Sequence, residues 1–404
     1  MPSPAVSSPT LEPAAATTRA AVNLLAIACF FSGAALRICD GLLPRLAGDF
    51  AVTPGTAGQV ILVFTFAYGF SQLAYGTLGD RYGKARVVCI ALFASAAGSL
   101  ACTLASDLSM LVRLRVLWGA VAGGVIPMSM AWIGDNVPYE RRQATLARLL
   151  LGTLSGMTAG QLAGGLFADS DWGWRGAFGA MCAGYLVVAT LLLVRLRTIP
   201  SHALAQPARR AWLASIGEVL RMGWARVVLV TVMAEGIFLL GPLSFLPAYL
   251  HQRFGLALSV ASGFVALYAI GGVLYALAAR HIVRRFGERL MVLWGGILMG
   301  TGFLAWYLIP QGWIAAPIAL AVGFGTYLYH NTLQTHGTQM APSMRGTGMS
   351  LFAFSFFVGQ AIGVSLAGLS FDRLGPAPLL LVPALVLPFT GWAFARALKR
   401  RAQA

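Results

Sequence analysis

Residues Gly76 to Arg86 read GTLGDRYGKAR, a short basic stretch between two long apolar runs, 57–78 and 87–105. About 20 apolar residues cross a bilayer, so the stretch is a loop joining two crossings. Each of its marked residues has a physical use. Gly76 removes a side chain where helices must approach closely. Gly83 permits a tight turn with positive φ. Asp80 suits a helix N-terminus and can accept charge-assisted hydrogen bonds from the loop arginines Arg81 and Arg86.

The same alternation of apolar run and short loop continues outward in both directions. Of 404 residues, 58% are hydrophobic and 10% charged, against roughly 25% charged in a soluble domain. Twelve runs are long enough to cross: 21–42, 57–78, 87–105, 110–133, 146–167, 175–196, 226–250, 259–280, 290–309, 313–334, 347–369 and 377–397. The expected fold class is an all-α membrane protein of twelve transmembrane helices.

The net charge of +16 would suggest nucleic acid in a soluble chain. Its distribution says otherwise. With the N-terminus in the cytoplasm and sides alternating, Arg45, Arg175, Arg253 and Arg373 fall outside and Arg37, Arg113 and Arg115 fall within runs. The other 22 of the 29 Lys and Arg lie on the cytoplasmic side. That bias is the positive-inside rule, with both termini cytoplasmic, and it excludes a nucleic-acid role. The first 18 residues, rich in Pro, Ala, Ser and Thr, read as a disordered tail, and the first run is too long for a cleaved signal peptide. The five cysteines are scattered through spans without metal or disulfide spacing. Glycine-rich runs lack the strand–turn–helix setting of a nucleotide site, so no cofactor is expected and ATP does not drive the protein.

The chain repeats itself at an offset of 204 residues. Phe50 meets Phe254, Arg81 meets Arg285, Gly83 meets Gly287, Gly119 meets Gly323, Pro138 meets Pro342 and Arg141 meets Arg345. The spacing predicts a cytoplasmic tail (1–18), an N-terminal six-helix bundle (19–196), a linker (197–225), a C-terminal six-helix bundle (226–397) and a second tail (398–404). A parallel repeat of this kind puts the binding site between the halves near the midplane. In the linker, Trp212, Ile216, Val219 and Leu220 share a helical face while Arg209, Arg210 and Arg221 suit lipid head groups, which predicts an interfacial amphipathic helix.

The loop pattern Gly76, Asp80, Arg81, Gly83, Lys84, Arg86 resembles the signature loop of the major facilitator superfamily of secondary transporters. The resemblance implies a loop that latches the halves on the cytoplasmic side when the protein opens outward. The second copy, Arg280 to Arg289, has Arg284 in the Asp position, so the first copy is expected to carry the latch. Arg115, four residues before Gly119, resembles the family's second motif, in which the Arg is associated with proton transfer in antiporter branches. An arginine within a span costs at least ~2.5 kcal/mol on insertion scales and marks a functional site unless it snorkels, as Arg113 near the helix start is placed to do. Gly156, Gly160, Gly164 and Gly165 resemble the antiporter motif of drug-exporting branches, with Gln161 where that motif has Pro, and they suit close helix packing. The following DWGWRGAF stretch, with Trp172, Trp174, Arg175 and Phe178, reads as an aromatic interface anchor.

Two carboxylates lie well inside runs, Asp40 and Glu235. Arg37 and Asp40 share a helical face at i,i+3, and Arg115 lies at matching depth. An Arg37–Asp40–Arg115 network is expected, either as proton machinery or as a structural ion pair. Glu235, mid-span with no cation in its own turn, is the leading proton site. His330, Asn331 and Gln334 form a polar cluster at helical spacing, to line the cavity or to pack; His336 is expected in a loop. Arg37 is a further candidate substrate ligand.

Together these readings predict not an enzyme but a multi-pass, monomeric secondary transporter of a bacterial inner membrane, exporting a small organic molecule in exchange for protons by alternating access. Drug-like compounds, siderophores and sugars are the substrate classes considered. Proton symport importing a sugar or organic anion is the alternative within transport. A non-transporting membrane sensor on the same scaffold is the rival from another class, and the intact loop argues against it.

Overall fold

The computed structural model describes residues 11–196 and 212–403. Its helices are α1 (Leu11–Asp49), α2 (Pro54–Ala57), α3 (Gln59–Tyr82), α4 (Lys84–Thr103), α5 (Leu108–Ala122), α6 (Val125–Asn136), α7 (Tyr139–Ala168) and α8 (Gly173–Arg195) in the first half. The linker helix α9 (Trp212–Arg221) leads to α10 (Gly223–Glu235), α11 (Gly241–Phe254), α12 (Leu258–Leu308), α13 (Ala315–Gln339), α14 (Arg345–Leu369) and α15 (Pro376–Gln403). Ten helical stretches are long and apolar enough to cross a membrane. One of them, α12, runs 51 residues and bends at Gly287, so it supplies two crossings. The 30-residue α7 supplies another, its first turns carrying Arg141, Arg142 and Arg148. Twelve crossings in two six-helix halves result.

The structure moves two expected boundaries. Helix α1 starts at Leu11, within the stretch expected to be a disordered tail; residues 1–10 lie outside the described residues. Helix α15 continues to Gln403, so 398–403 extend the last helix beyond its crossing rather than form a separate tail. Most of the linker, including Arg209 and Arg210, lies outside the described residues, but α9 forms, with Val219 buried and Leu220 exposed.

The repeat is visible as backbone geometry. Gly83 (φ 86°) and Gly287 (φ 68°) are both left-handed turns, a conformation that costs an L side chain roughly 1–2 kcal/mol. A Cβ added to Gly119 would strike the Phe64 carbonyl, and one on Gly323 would strike the Tyr268 carbonyl, each partner shifted by the same 204 residues. Along α1 and α7, Gly152, Gly156, Gly160 and Gly164 face the carbonyls of Ala26, Phe30, Ala34 and Ile38 in step. Gly359 and Gly363 of α14 face the carbonyls of Met233 and Ile237 in the same way. Lipid offers no hydrophobic drive for helix association, so such close backbone packing is what holds these pairs.

The DWGWRGAF stretch is only partly an interface anchor. Gly173 turns the chain at φ 52°, and Trp174 then points inward, where its Nε1 donates to Asp49 at 3.0 Å. Trp174 and Phe178 are buried, and Trp172 alone of the three stays largely exposed.

Candidate transport site between the halves

The halves meet along α3 with α14 and along α7 with α12. Gly69 lies against Phe357, and Gly165 lies against Ser262 and the Leu258 carbonyl. At the end of the molecule opposite the signature loop, two carboxylates tie the halves together. Asp169, at the end of α7, accepts from the backbone N–H groups of Leu258 (3.1 Å) and Ser259 (2.8 Å) at the start of α12. Asp372 lies in a π-helical turn, Ser370–Leu374, after α14. It accepts from the Gly55 N–H at 2.9 Å and from the Thr53 hydroxyl at 2.5 Å, at the start of α2. A carboxylate at a helix N-terminus satisfies orphan donors and meets the positive end of the helix dipole. Burial works against the Asp169 charge, but the hydrogen bonds from Ser259 and Leu258 outweigh it and hold the group below the ordinary carboxylate value.

At the other end the signature loop is unlatched. Asp80 is 59% exposed and lies 3.9 Å from Lys84 of its own loop. Lys84 pairs more closely with Asp135, on α6 of the same half. The conformer is therefore closed at the Asp169–Asp372 end, and the latch expected of the loop is not engaged in it.

Between the two ends the candidate residues fall into two buried groups. On α1, Arg37 Nη1 donates to Asp40 Oδ2 at 2.9 Å, and Asp40 is fully buried. Ser244 of α11 stands beside the Asp40 carboxylate while donating to the Leu240 carbonyl at 3.1 Å. Asp40 and Ser244 are 204 residues apart, so repeat-related positions face one another across the interface. Arg37 also lines a small cavity with Met157, Thr158, Gln161, Tyr268 and Tyr327. Gln161 is thus more than a substitute for a kinking proline: it is buried and faces Arg37's cavity, with Nε2 unpaired.

In the second half, Glu235 has a partner that its own helix does not reveal. His330 Nδ1 of α13 lies 2.9 Å from Glu235 Oε2. Glu235 ends α10, where the five-residue π-turn Gly236–Leu240 begins. Pro242 lacks the N–H that would bond a carbonyl one turn back, and the hydrogen-bond ladder shifts register there. Asn331 stands beside Tyr275, and Gln334 is exposed. His336 is not in a loop. It lies on α13, buried against Trp224 and Phe394, with Nε2 3.1 Å from Glu288 Oε2.

Asp40 and Glu235 share one feature. Each is fully buried, each pairs one oxygen with a basic side chain, and each has a second oxygen, Oδ1 and Oε1, without a hydrogen-bond partner among the described residues. Leaving such an acceptor unpaired costs at least about 1–3 kcal/mol, and a proton on it removes the charge that makes it costly.

Arg115 does not complete the expected three-membered network. Its Nε donates to the Val60 carbonyl at 3.2 Å, and its guanidinium lies 3.8 Å over the Phe64 ring and 4.7 Å from Trp118. It makes no ion pair among the described residues. The reason is local: Phe64 and Trp118 offer π-faces that hold a desolvated cation where the helix start is too deep for snorkelling. Arg113 bonds Ser109 at 3.0 Å on the exposed face.

The Major Facilitator Superfamily model matches residues 25–364. The chain belongs to that superfamily. Over 151 residues it is 32% identical to the multidrug export protein EmrB of Haemophilus influenzae, a match covering 37% of this chain and 30% of that relative. A longer match, 23% identical over 406 residues, covers 90% of the chain and 89% of the 4-hydroxybenzoate transporter PcaK of Pseudomonas aeruginosa. A crystal structure of the peptide transporter POT superimposes with a TM-score of 0.76 at 16% identity, covering 94% of each chain, which shows the shared fold.

The structure thus brings Arg37 together with Asp40, and Glu235 with His330. Arg115 is bonded to neither pair, though its charge lies within electrostatic reach of Asp40. Ser244, Asp169, Asp372 and Glu288 were not singled out from the sequence. For Asp169 and Asp372 a signal existed, since they stand 203 residues apart, one step from the repeat offset.

Proposed function

We propose that the protein exports a small organic molecule in exchange for protons by alternating access. The observation that carries the reading is the pair of buried carboxyls, one per half, each with one oxygen on a basic side chain and one unpaired. A group of this kind binds a proton in one conformer and releases it when the halves rearrange around it. Glu235 with His330 is the leading proton site, and Arg37 with Asp40 the second. Gln161, Tyr268, Tyr327, Asn331 and Gln334 supply polar contacts for substrate. The export direction rests on the glycine motif of α7 and on the names of relatives such as EmrB.

The excess of basic residues toward the signature-loop end supports a cytoplasmic position for that end and for both termini, in a bacterial inner membrane. The working unit is the monomer, built of bundles 19–196 and 226–397 with a linker at 197–225. Uptake with protons is the second reading. It is favoured by the near full-length match to PcaK and by Arg37, a cation suited to an organic anion, in the central cavity.

Proteoliposomes with a trapped pH dye separate the readings. A panel of hydrophobic cations and aromatic acids, including 4-hydroxybenzoate, is added outside without an imposed gradient. Exchange for protons makes the lumen more alkaline as substrate enters, and symport makes it more acidic. Substrate flux without any lumen pH change overturns proton coupling, and specific binding without flux supports the sensor.

A further inference from the structure

The start of α10 and the end of α15 enclose a groove that transport does not use. It has a volume of about 650 Å³ and is lined by Trp224, Trp392, Arg396, Arg400 and Arg401 with small apolar residues between them. Arg401 lies 4.4 Å over the Trp224 ring, and Arg396 lies 5.3 Å over the Trp392 ring. Among the described residues none of the three arginines pairs with a carboxylate. Glu288, the acid across Trp224, is taken by His336.

Position fixes what can fill such a groove. A bilayer's hydrocarbon core is about 30 Å thick, or 20 residues of helix. Counted from Pro376, that length ends at Arg396, so the three arginines lie at head-group depth and Trp392 lies just inside it. Tryptophan at that level holds the boundary between acyl chain and head group. A guanidinium held on an aromatic face keeps its N–H fork free for phosphate oxygens. Basic pockets between helices at this level suit anionic head groups. We infer that this groove is a binding site for one anionic phospholipid, its phosphate held by Arg396, Arg400 and Arg401 and its first acyl carbons lying between Trp224 and Trp392.

Native mass spectrometry of the full-length protein, released from nanodiscs of mixed phosphatidylglycerol and phosphatidylcholine, tests this. The wild type retains one phosphatidylglycerol at least about tenfold over phosphatidylcholine at equal content. Arg396→Gln/Arg400→Gln/Arg401→Gln loses that preference. Arg284→Gln/Arg285→Gln/Arg289→Gln, an equal loss of charge on the same side, keeps it. Trp392→Ala lowers retention while leaving the protein's charge unchanged. Equal retention in the two triple variants overturns the site. So does displacement of the lipid by inorganic phosphate at millimolar concentration, which would mean that the groove reads a free anion. If the first triple variant fails to fold, Arg396→Lys/Arg400→Lys/Arg401→Lys decides: it keeps charge but loses the forked donors, and undiminished retention overturns the assigned geometry.

Discussion

Asp169 and Asp372 hold equivalent places in the two halves, and each carboxylate caps the first turn of a helix in the opposite half. The donors on the receiving side are the backbone N–H groups of Gly55, Leu258 and Ser259 and the Thr53 hydroxyl. Closure of this end therefore depends on two side chains and on helix position, not on a set of matched charges.

Removing either cap shifts the balance toward the conformer open at that end. A lost cap is worth about 1 kcal/mol, roughly a fivefold change in population. Asp169→Ala and Asp372→Ala each show that change in spin-label distance distributions across the end, and the double variant shows roughly their product. For Asp169 the sign with pH follows from its lowered value: its contribution is complete above the ordinary carboxylate value of 3.8 and fades as pH falls through the lowered one. A distance distribution indifferent to both substitutions would remove these residues from the gate.

Glu235→Gln separates exchange from coupling. The amide mimics the protonated acid, so substrate still exchanges across the membrane while accumulation driven by a pH gradient is lost. Counterflow beside gradient-driven uptake in proteoliposomes reads both. Full gradient-driven transport in Glu235→Gln, with its loss in Asp40→Asn, would move the proton site to the Arg37–Asp40 pair.

Arg115 and Arg113 differ by one helical step in depth and far more in consequence. Arg115→Ala empties the space over Phe64 and removes the side-chain donor from the Val60 carbonyl. Transport falls at least tenfold and the thermal midpoint drops, while Arg113→Ala leaves both near wild type. Scanning fluorimetry beside flux measures this, and the reverse ranking would place the functional cation on the exposed face.

Asp80 is exposed in this conformer, as a latch that engages only in the opposite one requires. Asp80→Asn therefore favours the conformer closed at the Asp169–Asp372 end and slows transport without loss of expression. Cysteine labelling from both sides of the membrane reports the shift. Arg284→Gln, in the second copy of the loop, changes labelling much less.

The twelve crossings and the repeat were legible because hydropathy and glycine placement are local properties that survive without partners. The Arg37–Asp40 pair was legible for the same reason, lying within one turn of one helix. Glu235 and His330 were each singled out, but not their pairing, since His330 is 95 residues away and reaches Glu235 only through the packing of α13 on α10. His336 was misplaced because a polar run, TYLYHNTLQTHGTQ, hides the continuation of a helix whose buried side faces Trp224 and Phe394. Asp169 and Asp372 were set aside with other acids at span ends, since nothing in a single helix end shows which helix of the other half it will meet.

Helix α7 presents two faces with opposite freedom to change. Gly152, Gly156, Gly160 and Gly164 are each set against an α1 carbonyl, and even a methyl group at one of them would push the two backbones apart. Leu154, Met157, Thr158 and Gln161 face the cavity beside Arg37 and carry no share of that packing. One helix thereby separates inheritance from adaptation. Lineages descended from this chain can acquire new cargo through those four side chains while the scaffold that presents them stays as it is.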